Sequence, residues 1–272
     1  MKSNTTMFEF YGRRFHDVLA VGMHAGTLAL YYSLGGDACF ANAGTLSSLC
    51  LVAMEATAVC FHLAYAAMYH IGSGMHGKVN RTKWIEYGIS ATLGTVGVLT
   101  SAKSDSMSDS VVAFVATAGC AQQFAGWQID LPAGTQHASM LWPTFWSAAL
   151  LQVGEFALVA SSGAPPALSA VYIVMWSTFG LHAGIRLWVL SSGSSGANRA
   201  RWGNTDWTES VYSCLSWVSK LAVFWATAVA DCNPESIDVA VAIGLPVVLI
   251  MLIAPVLLRD GKPTDDLGTQ LL

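Results

Sequence analysis

The sequence predicts an all-α membrane protein with eight transmembrane helices, because of its composition and the length of its apolar segments. Hydrophobic residues make up 54% of the 272 positions and charged residues only 11%, which is too apolar for a soluble domain of this length. A helix needs about 20 apolar residues to cross a hydrocarbon core of about 30 Å. Only helices satisfy every backbone polar group in consecutive spans of this kind.

Eight such segments follow one another, with short polar joints between them. They cover residues 12–34, 45–71, 82–102, 108–128, 138–160, 166–190, 206–230 and 238–258. The first is long and contains aromatic residues, so we interpret it as an anchor and not as a cleaved signal peptide. The last contains Pro246 and Pro255, which transmembrane helices tolerate. We therefore predict a bundle over 1–236, an additional transmembrane helix over 237–258 and a tail over 259–272.

The basic residues predict the orientation, since cytoplasmic loops of membrane proteins carry an excess of lysine and arginine. A cytoplasmic N-terminus places ten of the thirteen basic residues inside: Lys2, Arg13, Arg14, Lys78, Arg81, Lys83, Arg199, Arg201, Arg259 and Lys262. The opposite orientation would place only one of the thirteen basic residues inside. We predict a multi-pass membrane protein whose N-terminus and C-terminal tail are both cytoplasmic.

Lys220 is the residue in the apolar segments that most needs an explanation. It lies in the middle of the seventh segment, with about ten uncharged or apolar residues on each side. A lysine at the centre of a bilayer costs roughly 2.5–3.5 kcal/mol on insertion scales, and such residues are usually functional. Pairing with a carboxylate or a Schiff base with an aldehyde would resolve the cost; a lysine that extends to the interface is the structural alternative.

Glu86, near the cytoplasmic start of the third segment, is the predicted partner of Lys220. An opposite charge would hold it ionised. The alternative is an interfacial glutamate paired with Lys83 or Arg81. Other kinds of site are absent from the sequence, which has no metal-like C-x-x-C pair, no phosphate-binding glycine loop and no nucleophile elbow. We predict neither an enzyme nor a nucleic-acid-binding protein. Cys39 and Cys232 both fall in predicted extracellular loops, where a disulfide is one alternative.

Four short motifs resemble one family of membrane proteins. The seventh segment has a serine four residues before its lysine (Ser216 and Lys220), and the third contains Trp-Ile-Glu-Tyr-x-Ile-Ser-Ala over 84–91. The first has Arg13-Arg14-Phe15 followed by Gly22 and His24, and the second has Phe61-His62-Leu63. Together they resemble the heliorhodopsins, strongly in segments one, two, three and seven and weakly in segments four to six. That family also has a cytoplasmic N-terminus.

The resemblance implies a seven-transmembrane retinal-binding bundle with an added eighth C-terminal helix. It implies all-trans retinal held as a protonated Schiff base on Lys220, with Glu86 as counterion and Ser216 beside it. It also implies a polar cavity on the cytoplasmic side with His24 and His62, which accept or relay a proton, and it implies a homodimer. Each histidine has a structural alternative, a core residue bonded to a backbone carbonyl. The residues expected to hold or wall retinal are Tyr87, Leu93, Tyr172, Trp176, Phe179 and Trp217, each of which could also be ordinary aromatic or apolar packing.

The chain departs from the family pattern in ways that suggest a second function. Lys83 stands where the family usually has arginine, and Ala58 where it usually has serine. Glu55 and Glu155 are two unexpected acids, both predicted in the extracellular half. With Glu86 and the histidines they would place titratable groups across the membrane, as in a light-gated proton pathway, an activity that the resemblance attaches mainly to viral members.

Three functions therefore stay open from the sequence. The first is photoreception, in which light isomerises retinal and the protein signals to an unidentified partner. The second is passive, light-gated proton conduction through Glu55 and Glu155. The third is a light-independent membrane receptor or scaffold without retinal. In each case lipid is a partner. The structural alternative for Glu55 and Glu155 is that both are protonated, hydrogen-bonded groups.

Overall fold

The structure is a computed structural model that describes residues 7–34, 45–71, 80–101, 107–130, 138–192, 202–203 and 205–232. The described residues form seven α-helices and no strand. Their bounds are α1 Met7–Leu34, α2 Leu46–Ile71, α3 Lys83–Ser101, α4 Asp109–Asp130, α5 Trp142–Ser161, α6 Pro166–Ser191 and α7 Thr205–Cys232. Cys39, the predicted eighth helix over 237–258 and the tail over 259–272 lie outside the described residues.

Each of the first seven predicted segments is helical, so the all-α prediction is confirmed for the described part of the chain. Two ends differ from the prediction. The first helix already begins at Met7, five residues before the predicted span, because amphipathic and charged residues extend the helix beyond its apolar part. The fifth begins with a short 3-10 helix, Ser139–Leu141, before α5. Pro143 in the first turn of α5 suits this start, because a proline there loses no helical hydrogen bond.

Within the described ranges, four helices are long and apolar enough to cross a membrane: Leu46–Met68, Ser139–Ser161, Pro166–Ser191 and Trp207–Cys232. The other three helices carry more polar side chains, such as Asp17 in α1, Lys83 in α3 and Gln122 in α4. Large apolar residues are exposed on the outside of the bundle, for example Leu150 at 73% and Leu181 at 65%. Charged groups are buried inside, which reverses the usual arrangement of a soluble protein.

The helices pack in chain order around a ring. Each helix contacts the next, α7 returns to α1, and α3 also contacts α7 across the bundle. An apolar core of residues from α3, α6 and α7, with Tyr172 and Met175 fully buried, fills one part of the interior. The contact between α3 and α7 positions the candidate site, because each of these two helices carries one of its charged residues.

The α7 helix is fixed at its end by polar and covalent contacts. Asp231 accepts hydrogen bonds from Ser47 at the start of α2 and from Ser101 at the end of α3. The neighbouring Cys232 is disulfide-bonded. The cysteines at 50, 60, 120 and 214 are free thiols. The predicted pairing of Cys232 with Cys39 involves a residue outside the described part of the chain.

Candidate functional site

Lys220 and Glu86 form a buried ion pair between α7 and α3. The Nζ of Lys220 donates to Oε1 of Glu86, and the two residues are 4% and 0% exposed. Ser90, one turn after Glu86, donates to the same carboxylate oxygen over 3.4 Å. The predicted contact is therefore present. The alternative partner, Lys83, instead pairs with Asp130 and Glu209.

A cavity opens beside this ion pair, and Lys220 forms part of its wall. Its empty volume is about 790 Å³, a figure that includes open solvent at its mouth. Aromatic side chains of α3, α6 and α7 cover one side, and small and amide side chains of α4 and α5 cover the other. Its lining includes Trp84, Tyr87, Gln122, Gln123, Gly126, Phe145, Ala148, Ala149, Gln152, Trp176, Phe179, Gly180, Tyr212 and Lys220. The amine therefore lies at the surface of a mostly apolar slot, an arrangement typical of a small-molecule site.

Three of the residues predicted to wall the slot do line it. These are Tyr87, Trp176 and Phe179, and the Nζ of Lys220 lies 5.1 Å from the centroid of the Tyr87 ring. Tyr172 stands one layer behind, stacked on Trp176 with ring centroids 5.1 Å apart. It also bonds Thr95 at 2.7 Å between the two hydroxyl oxygens.

Three other predicted residues do not line the cavity. Trp217 packs with Ala20 of α1 in a separate apolar cluster, and Leu93 packs among core residues of α2, α6 and α7. Ser216 is fully buried one turn before Lys220, but it is not among the lining residues. For Trp217 and Ser216 the reason is that α7 is buried on most of its surface, so an apolar pattern does not reveal which face meets the cavity.

The wall contributed by α4 and α5 was not predicted from the sequence. Gln122 and Gln123 in α4 and Gln152 in α5 stand in mostly apolar segments, and these amides were the available signal. Phe145 and the small residues Ala148 and Ala149 give no such signal, because they are ordinary in a membrane helix. The weak family resemblance of this part of the chain also left these residues unmarked.

Two histidine–carboxylate pairs lie next to the ion pair. The Nδ1 of His24 lies 2.5 Å from Oε2 of Glu55, and the Nδ1 of His62 lies 2.9 Å from Oδ1 of Asp17. The two rings stack, with centroids 5.8 Å apart and planes inclined by 17°. All four side chains are at least 95% buried. Both histidines thus bond carboxylates at Nδ1, where the structural alternative expected a backbone carbonyl.

Two sequence expectations change with these pairs. Glu55 was predicted in the extracellular half, apart from the histidines, yet it contacts His24 because both lie near the middle of adjacent helices. Asp17 was not predicted as a site residue. Its signal was its spacing, since it precedes His24 by seven residues, two helical turns along the same face of α1.

Glu155 lies apart from these pairs, on α5. It is 3% exposed and accepts a hydrogen bond from Nε2 of Gln122 at 2.7 Å. Gln122 also lines the cavity. Glu155 therefore reaches the cavity through one amide side chain, from the wall opposite α3 and α7.

A second group of buried charges, which we call the end cluster, joins four helices. It consists of Lys83 at the start of α3, Asp130 at the end of α4, Arg186 in α6 and Glu209 in α7. Lys83 lies 2.5 Å from Asp130 and 2.6 Å from Glu209, and Arg186 donates to Asp130. The charges balance, and Tyr212, whose ring centroid is 4.5 Å from the Nζ of Lys83, lies between this cluster and the cavity.

Chemically, the site offers a buried primary amine with one counter-charge, a slot with aromatic walls, and two imidazoles next to it. No group of three or more histidine, cysteine or carboxylate side chains suited to a metal occurs in the part of the chain that the structure describes. No protein-family model matches the chain, and no curated protein matches it either. The function therefore has to be argued from the site itself.

Proposed function

We propose that this protein is a light-sensing retinal protein of the heliorhodopsin type. The observation that carries the proposal is the buried ion pair of Lys220 and Glu86 at the wall of an aromatic-lined cavity. A buried ion pair gains little stability over an apolar pair of similar volume. An amine kept there at the edge of a slot is better explained by a reaction with a ligand aldehyde.

The residues present fit all-trans retinal on three counts. Tyr87, Trp176 and Phe179 offer flat apolar walls for a conjugated chain, Lys220 offers the amine for a protonated Schiff base, and Glu86 offers the counter-charge. When bound, retinal would supply a light-driven change of shape at the Lys220 nitrogen. Glu86 would keep this nitrogen positively charged in the dark, and the aromatic walls would exclude water from it.

The histidine–carboxylate pairs would accept the proton that leaves Lys220 after light. Ala20, one turn before His24 in α1, packs with Trp217, one turn before Lys220 in α7. An imidazole whose Nδ1 faces a carboxylate can take a proton at Nε2, because the carboxylate stabilises the resulting positive charge. The Nε2 atoms of His24 and His62 are buried and have no hydrogen-bond partner among the described residues, so both are available as acceptors.

We further propose that the seven helices span the membrane with the N-terminus in the cytoplasm, followed by the predicted eighth span. The contacts of the end cluster support alternating helix directions, because the starts of α3 and α7 meet the ends of α4 and α6. The basic residues in the sequence favour this end as the cytoplasmic one. Lipid would cover the apolar outer faces, and a second copy and a cytoplasmic signalling protein are further expected partners.

The test is the absorption of the purified protein after addition of all-trans retinal. We expect a visible band that hydroxylamine bleaches and that is absent in Lys220→Ala. Lys103→Ala, in the joint between the third and fourth segments, is the matched control and should keep the band. A wild type without a visible band would overturn the proposal and leave the light-independent receptor or scaffold.

The contacts of Glu155 support a second candidate, light-gated passive proton conduction. Glu155 reaches the cavity through Gln122, while Glu55 and His24 reach the Lys220 side. Carboxylates would then flank the cavity from two directions. A photocurrent whose reversal potential follows the proton gradient would support conduction, and Glu155→Gln or Glu55→Gln should reduce it. A normal visible band without current would leave sensing as the function.

A further inference from the structure

The two histidine–carboxylate pairs are not equivalent in position, and their difference suggests an order. The helices α1 and α7 pack side by side and run in the same direction. The rings of His24 and His62 stack with their centroids 5.8 Å apart. Asp17, the partner of His62, accepts a hydrogen bond from Ser213 at 3.3 Å. Ser213 precedes Lys220 by seven residues and Asp17 precedes His24 by seven, so His24 lies level with Lys220 and Asp17 lies about two helical turns away. We call His24 with Glu55 the inner pair and His62 with Asp17 the outer pair.

We propose that the proton released from Lys220 is held first by His24 and then, finally, by His62. Glu55 is the positioning residue for His24, and Asp17 is the positioning residue for His62. The proposal rests on the proposed retinal function, and it concerns two carboxylates that the family resemblance does not assign to this role. Asp17 acts through His62 and touches neither the amine nor the cavity.

Each of the two steps moves one proton. The nitrogen of Lys220 loses one proton to Nε2 of His24, which becomes an imidazolium next to the Glu55 carboxylate. His24 then returns to neutral as Nε2 of His62 takes the same proton, with Asp17 as the counter-charge. The stack holds only one proton at a time, because two imidazolium rings 5.8 Å apart would repel each other in a buried site.

The geometry gives each carboxylate a different kinetic effect. A proton on the inner pair remains next to Lys220 and can return quickly. A proton on the outer pair is one ring further away, so the deprotonated state lasts longer. Loss of Glu55 should therefore slow the release of the proton from Lys220, whereas loss of Asp17 should speed its return.

Flash photolysis of the retinal-bound protein tests this difference. In Glu55→Gln we expect the deprotonated state to form at least about tenfold more slowly, and in Asp17→Asn to decay at least about tenfold faster, since a positioned proton-transfer group contributes roughly 100-fold or more. Asp17→Glu should restore the slow decay. Asp109→Asn, exposed at the start of α4, is the control and should change neither rate. Unchanged decay in Asp17→Asn would overturn the inference.

A second measurement needs no retinal. Nitrogen NMR of the retinal-free wild type should show both His24 and His62 with hydrogen on Nδ1, bonded to carboxylates. Asp17→Asn should remove the strong hydrogen-bond shift of His62 alone. A wild-type His62 with its hydrogen on Nε2 would overturn the inference even if the variants do not fold. A wild type without a visible band would instead count against the proposed function, so the two failures are distinguishable.

Discussion

The burial of Lys220 has an energetic consequence that depends on Glu86. Each charge loses its hydration, and their mutual attraction offsets this cost only while both are present. Removal of one partner leaves an uncompensated buried charge, which typically costs about 3–5 kcal/mol. Ser90 adds one long hydrogen bond to the same carboxylate, and such a bond contributes roughly 1 kcal/mol or less.

Glu86→Gln should therefore destabilise the retinal-free protein by about 3–5 kcal/mol, because the Lys220 ammonium loses its counter-charge. The measurement is unfolding in detergent, with Ser90→Ala as the matched variant on the next turn of α3. We expect Ser90→Ala to cost at most about 1 kcal/mol. If Glu86→Gln were as stable as the wild type, the ion pair would not be the means by which Lys220 is accommodated.

At this scale the sequence predicted the ion pair and the nearby histidines but not the carboxylates that bond those histidines. Lys220 and Glu86 could be matched because a charge in an apolar segment needs a partner, and few were available at similar depth. Asp17 was not predicted, since it follows two arginines near the start of α1 and a carboxylate there is ordinary at a membrane interface. The contact of Glu55 with His24 depends on how α1 and α2 are aligned, which residue types alone do not specify.

At the scale of helices, the end cluster holds α3, α4, α6 and α7 together through two cations and two carboxylates. Asp130 is 2% exposed and contacts both cations. Its removal would leave Lys83 and Arg186 with Glu209 as the remaining carboxylate of the cluster. The geometry makes Asp130 the residue on which the cluster depends most.

Asp130→Asn should lower the free energy of unfolding by about 3–5 kcal/mol, the cost of breaking a buried charge pair. Asp109→Asn makes the same chemical change at the exposed start of the same helix and should change stability by less than about 0.5 kcal/mol. Unfolding of both variants in one detergent gives the comparison. Equal stabilities would mean that the end cluster contributes nothing to helix packing.

The crossing of α4 over α3 depends on Gly126. A Cβ atom at this position would lie 2.3 Å from the ring of Trp84, and both residues line the cavity. Only a hydrogen side chain leaves room for this ring, so the two helices approach closely at a point that also shapes the site.

Gly126→Ala should displace Trp84 and cost about 1–3 kcal/mol, the typical effect of overpacking, and it should shift the visible band of the retinal-bound protein. Gly22→Ala is the matched control, because a Cβ there meets no atom within 4 Å. Alanine at that helical position should be neutral or stabilise by up to about 1 kcal/mol. A variant Gly126→Ala with normal stability and an unshifted band would contradict the close packing.

Helix positions could be predicted from the sequence much better than helix faces. The lengths of apolar segments and the polar joints mark where each helix begins and ends. The faces of α4, α5 and α7 could not be predicted, because membrane helices are apolar towards lipid and towards each other, so the amphipathic signal is weak. Trp217 was consequently assigned to the cavity and Gln122 was not.

The whole molecule has the polarity that a bilayer selects. Its outer faces expose residues such as Leu150 and Leu181, while its interior holds the ion pair, the histidine pairs and the end cluster. Composition alone predicted this class, because 11% charged residues cannot cover the surface of a soluble domain of 272 residues. The orientation is a prediction from the basic residues, and the eighth span is a prediction from the apolar run over 238–258.

The most direct test of the central claim is to find whether retinal attaches to the protein, and at which residue. The protein would be incubated with all-trans retinal and treated with borohydride, which reduces a Schiff base to a stable amine, and its peptides would be analysed by mass spectrometry. We predict one modified residue, Lys220. The double variant Lys220→Ala with Glu86→Gln, which removes both charges of the ion pair, should give no modified peptide. Attachment at Lys83, the other buried lysine among the described residues, or no attachment at all would contradict the account.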